Sequence, residues 1–113
     1  MGGDGMELND VAAALKELGH PTRLGVYKEL VRAGEHGAPV GDLQKKLNVP
    51  SSTLSHHISA LVSVGLVRQV REGRVLHCIA QYEVLNDLIG FLVDECCVAG
   101  QGTPFKLSSM QKG

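Results

Sequence analysis

Between Val49 and Val67 the apolar residues recur with a helical period. Leu54, Ile58, Leu61 and Val62 stand at i, i+4, i+7 and i+8, which places them on one face of a helix. Pro50 followed by Ser51 and Ser52 predicts the start, with the serine oxygens capping the first turn. Gly65 predicts the stop, in a left-handed conformation, and Leu66-Val67 changes the period to that of a strand. The face opposite the apolar stripe carries Ser52, Thr53, Ser55, His56 and Ser59, short hydrogen-bonding side chains with no acid among them. Such a helix can lie in a major groove and read base edges while its back packs on a core. His57, three residues after Leu54 and four before Leu61, is expected to be a packing histidine.

The rest of the chain supplies a setting for this helix. Leu8, Val11, Ala12, Leu15 and Leu18 form a stripe that Gly19 ends. Pro21 opens a second helix at a position where a missing N–H costs nothing, and Leu24, Tyr27, Leu30 and Val31 form its expected buried face. A short third helix is predicted from Pro39 to Leu47, with Val40, Leu43 and Leu47 inward and Lys45-Lys46 outward. Only Asn48, Val49 and Pro50 separate it from the helix after Pro50. Two helices joined by so short a turn, the second with a polar face, are a helix-turn-helix.

Beyond Gly65, Leu66 to Arg71 alternates as a strand, Glu72-Gly73 predicts a tight turn, and Arg74 to Ile79 returns as a second strand. Arg71 and Arg74 flank the tip. Beside a helix-turn-helix this hairpin is a wing that can reach phosphates or a minor groove. A last helix is predicted from Tyr82 to Cys97, apolar around most of its circumference, with Asn86, Asp87, Gly90 and Asp94 as a narrow polar strip. A helix buried on two sides in so small a domain implies a second copy of the chain, most simply by twofold symmetry.

The expected fold is therefore mainly α with a β-hairpin wing, a winged helix-turn-helix spanning residues 8–98. Residues 1–7 are expected to be a flexible leader and residues 99–113 a flexible tail. The 113 residues give room for one core, and with four aromatic residues and no Trp that core must be aliphatic. No apolar run approaches a membrane span and no signal peptide opens the chain, so a cytoplasmic location without membrane contact is expected. The net charge of −1 hides an asymmetry: residues 40–77 hold five basic and two acidic side chains. Phosphate binding needs a local field rather than a basic total. Lys45, Arg71 and Arg74 are the expected phosphate contacts. No base–nucleophile–acid constellation or phosphate loop points to an enzyme.

Three cysteines remain, Cys78 on the second wing strand and Cys96 and Cys97 at the end of the last helix. A lone cysteine on an apolar face is usually a small core residue, but all three fall in adjoining elements. Adjacent residues are too close to bridge, so a Cys96–Cys97 disulfide is not expected. The return from strand to helix can bring Cys78 to Cys96. Thiolates select soft ions, and no set of four ligands for structural zinc is evident.

Taken together, Leu18-Gly-His-Pro-Thr-Arg-Leu24, Ser51-Ser-Thr-Leu-Ser-His-His-Ile-Ser-Ala-Leu61 and Gly65-Leu-Val with its Arg-Glu-Gly-Arg turn resemble the ArsR/SmtB family of bacterial winged-helix repressors. The resemblance covers about residues 8–97. It implies a homodimer formed through the terminal helices that sits on double-stranded operator DNA and leaves when an inducer binds. It also implies that Ser52, Thr53, Ser55, His56 and Ser59 face the DNA. The chain departs from the family at two metal sites, having no cysteine in the helix Pro39–Leu47 and no histidine in the last helix. What remains resembles members with thiols on the wing strand and last helix, which respond to trivalent arsenic, inorganic or methylated. Cys78, Cys96 and Cys97 are then the ligand candidates. Two other readings stay open: a redox or sulfur-species sensor that switches by a Cys78–Cys96 disulfide, and a module whose wing and last helix contact other proteins.

Overall fold

A computed structural model describes residues 6–94. Five helices and three strands follow in the order α1 (Leu8–Leu18), α2 (Pro21–Ala33), β1 (Ala38–Pro39), α3 (Val40–Leu47), α4 (Ser51–Ser63), β2 (Val67–Glu72), β3 (Val75–Ala80) and α5 (Tyr82–Val93). The α3–turn–α4 unit and the β2–β3 hairpin are the predicted helix-turn-helix and wing. Cys96 and Cys97, at the predicted end of α5, lie outside the described residues.

The core is aliphatic, as the composition requires. Leu30 and Val26 of α2, Leu54 and Leu61 of α4, Leu66, and Val67 of β2 are almost wholly buried. Each such side chain contributes roughly 1.5–3 kcal/mol by leaving water. Tyr27 is buried among them with its hydroxyl unpartnered among the described residues, and burial, with Tyr82 nearby, pushes its pKa up to about 12.

Several boundaries differ from the sequence expectations, each for a local reason. Ser51 and Ser52 do not cap α4; Pro50 is its N-cap, in extended backbone, and no side chain caps the turn. At the other end Gly65 behaves as expected, with φ of +80°. Its N–H donates to the carbonyl of Val62 and that of Leu66 to the carbonyl of Leu61, both at 3.0 Å, a Schellman closure. The hairpin turn sits one residue later than predicted, because Glu72 still pairs with Val75 and Gly73, with φ of +65°, takes the first central position. Arg74 therefore lies in the turn rather than in the strand. Glu7, assigned to the leader, instead caps α1: its N–H donates to Asp10 Oδ2 at 3.2 Å.

The third strand was not foreseen. Ala38 pairs with Cys78 and Pro39 with His77, so β1 lies on the far side of β3 and the sheet order is β1-β3-β2. Two residues carry no period, and a proline is tolerated there because β1 is an edge strand.

The helix faces also need correction. In α1 the buried residues are Val11 and Ala14, whereas Leu8 is 67% and Leu15 40% exposed. In α2 Leu24 is exposed, and Arg23 and Val26 are buried in its place. Along α5, Leu88 is buried, Leu92 is 55% exposed, and the predicted polar strip faces water.

Candidate nucleic-acid interface

The apolar stripe of α4 fixes what its other face can do. Leu54, Ile58 and Leu61 are buried, and helical geometry then turns Ser52, Thr53, Ser55, His56 and Ser59 outward, where all five are exposed. His57 is buried, as its spacing predicted. The first turn of α4 holds no acidic residue and no side-chain cap, so its N–H groups can meet an oxygen from outside the chain.

An open cleft of about 650 Å³ runs between α4 and the wing. Ser55 and Ser59 form one wall and Arg71 and Arg74 the other, so four of the expected contacts converge on one space. Ser52, Thr53, His56 and Lys45 lie outside the cleft. Lys46 is tied to Glu29 at 3.1 Å, whereas its neighbour Lys45 stands exposed.

Two cleft residues escaped the sequence reading. Gly41 lies in the first turn of α3, and an added Cβ there would meet nothing within 4 Å of the chain. Gln69, on β2, shares the cleft wall with Arg71. The strand alternation could have marked Gln69, since it sits two residues before Arg71 on the same side of the sheet.

Gln69 is also directly opposite Cys78 in the β2–β3 register, and its Nε2 donates to the thiol Sγ at 3.8 Å. Cys78 is fully buried in the core, with its side chain turned away from water. Burial pushes its pKa up, with the Gln69 hydrogen bond acting weakly the other way. Among the described residues no group of three His, Cys, Asp or Glu stands together to hold a metal ion. The other two candidate thiols lie outside those residues.

An exposed, acid-free helix behind a short turn, flanked by a basic β-hairpin, defines a winged helix-turn-helix DNA-binding protein. A helix-turn-helix domain family model matches residues 18–70, which span α2, α3, α4 and the start of the wing. Solved structures agree over more of the chain. An ArsR family transcriptional regulator superposes with a TM-score of 0.67 at 25% identity, covering 80% of this chain and 91% of that one. A homodimeric winged helix-turn-helix DNA-binding domain from Mycobacterium bovis gives 0.63 at 26% identity, covering 84% and 88%. A possible transcriptional regulator for arsenical resistance gives 0.61 at 25% identity, covering 70% and 79%. No curated protein sequence matches the chain. In fold and sequence the chain is therefore similar to ArsR family DNA-binding transcriptional regulators of known structure.

No helix among the described residues is long and apolar enough to cross a membrane.

Proposed function

We propose that the chain is a homodimeric repressor that leaves its operator when trivalent arsenic binds Cys78 together with Cys96, with Cys97 in an assisting role. The observation that carries this reading is the Gln69–Cys78 contact, because it joins a candidate ligand thiol to a wall of the DNA-facing cleft. A bond made at Cys78 Sγ acts on β3 and, through Gln69, on the wing. The neighbour named for arsenical resistance supports the same direction.

The chemistry fits a pair of thiols. Methylarsenite, CH3As(OH)2, condenses with two thiols to give two As–S bonds and two waters, and thiol ligands select soft ions of this kind. A disulfide switch needs an oxidant as well as both thiols. Protein-side roles follow from the exposed faces of α3, α4 and the wing: Arg71, Arg74 and Lys45 hold phosphates, while Ser52, Thr53, Ser55, His56 and Ser59 face the bases or their backbone.

Dimerisation is supported by three of the four leucines that the fold leaves exposed among the described residues, Leu24 of α2 being the fourth. Leu8, Leu15 and Leu92 are 67%, 40% and 55% exposed, all on the terminal helices, and the Mycobacterium bovis neighbour is described as homodimeric. The experiment is a titration of methylarsenite, arsenite and peroxide into protein bound to a duplex selected from a random library. Release by the arsenicals at lower concentration than peroxide is expected. Release by peroxide alone would replace this reading with the redox one.

A further inference from the structure

Arg23 is a buried cation in the first turn of α2, 9% exposed. Its Nη1 donates to the backbone oxygen of Glu17 at 3.3 Å and to the Glu17 carboxylate, both near the end of α1. Its Nε donates to Nδ1 of His57 at 3.2 Å, in the middle of α4. One guanidinium thus ties α1 and α2 to the helix whose other face meets the cleft. A ring nitrogen accepts a hydrogen bond only when it carries no proton, so neutral His57 must hold its proton on Nε2. That Nε2 is buried and has no partner among the described residues.

We infer that Arg23 is a positioning residue for DNA reading: through Nδ1 of neutral His57 it fixes α4 against α1 and α2, and a proton on His57 unfastens it. The inference rests on α4 being the DNA-reading helix. A second proton would turn Nδ1 into a donor facing a donor, and would set an imidazolium beside a guanidinium away from water. The groups around His57 reinforce the effect. His20, from the turn between α1 and α2, has its ring 4.8 Å away, and His56, on α4 itself, 5.9 Å away. Glu17 on α1 is the one opposing charge among them, and its carboxylate is already engaged by Arg23. Burial first, then the charge of Arg23 and the two histidines, hold His57 below the usual histidine range.

A latch of this kind has a signature that a simple packing contact lacks. Acid makes any protein more positive and so raises its affinity for any duplex, and the informative quantity is therefore the ratio of affinities for selected and scrambled duplexes. For the wild-type protein this ratio should fall roughly tenfold as pH drops from about 7.5 to well below the ordinary histidine value of about 6.5, where His57, held low in the folded protein, takes up its proton. In His57→Asn the amide oxygen replaces Nδ1 as acceptor and cannot be protonated, so the ratio should stay high and flat. Arg23→Met should lower it at every pH. A wild-type slope retained in His57→Asn overturns the latch while leaving the DNA-reading assignment intact. Failure of the wild-type protein to discriminate any selected duplex at about pH 7.5 would instead remove that assignment, and the latch with it. NMR of the unmutated protein needs no variant to fold: backbone amides of α4 should shift with the His57 ring titration, and amides indifferent to it would equally overturn the latch.

Discussion

Two helices treat their leucines in opposite ways. In α4 Leu54 and Leu61 are fully buried within the chain, and apart from Val62, expected inward but 37% exposed near the helix end, the exposed residues are polar. In α5 Leu88 is buried, yet Leu92, one turn later, is 55% exposed, with half-buried Val84, Leu85, Ile89, Phe91 and Val93 around it. The first helix is finished by its own fold and offers hydrogen-bonding groups to a polar partner. The second is unfinished and offers apolar surface, which suits another copy of the same surface. Their surplus faces thus divide the proposed tasks, reading by α4 and mating by α5.

Substitutions on the two inner faces should look alike, and those on the outer faces should not. Leu54→Ala or Leu61→Ala should cost about 2–5 kcal/mol of stability, the range for a cavity in a packed core, measurable by urea unfolding. Leu88→Glu should unfold the protein for a related reason, an unpaired charge in the core. Leu92→Glu should instead leave a folded monomer, seen by sedimentation equilibrium. A dimeric, operator-binding Leu92→Glu protein would remove the mating role of α5.

The outer face of α4 is sharpened by smaller effects. His56→Ala should change base preference by about 1–3 kcal/mol at one position, as loss of a base contact does. Selection from a random duplex library would reveal it, and an unchanged preference would move the reading face elsewhere. Arg71→Ala and Arg74→Ala should weaken binding to all duplexes alike and reduce the salt slope by about 1 each. The smallest effect concerns pH and stability. His57 is held below its ordinary pKa in the folded state, so the unfolded chain binds the proton first as pH falls. Its contribution is complete above about pH 6.5, declines below that, and is fully lost once pH passes the folded-state value. Urea midpoints of wild type and His57→Asn should converge in acid.

The features legible in sequence were those with a period or a special backbone residue. The α4 stripe repeats over three turns, Gly65 stops it, and the five outward residues follow from that phase. Single-copy features were not legible. The two-residue strand β1 has no period, and Arg23 looks like a surface cation until the α1–α2 turn brings Glu17 to it and the packing of α4 brings His57. The α1 leucines show a different limit. Leu8 and Leu15 stand in one stripe with Val11, and periodicity cannot tell which members of a stripe meet the core and which are left for a partner. The serines after Pro50 failed as caps because Pro50, already extended, takes that position itself.

The most direct test of the account is release from DNA by the wild-type and Cys78→Ser proteins, followed by fluorescence anisotropy of a selected duplex as methylarsenite is added. Both proteins should bind the duplex equally well before addition. The wild type should then dissociate, its affinity falling roughly 150-fold for a coupling of about 3 kcal/mol, while Cys78→Ser stays bound because no thiol remains on the wing to be joined to Cys96 or Cys97. Normal release of Cys78→Ser would contradict the account, taking the wing thiol out of the switch and with it the link through Gln69.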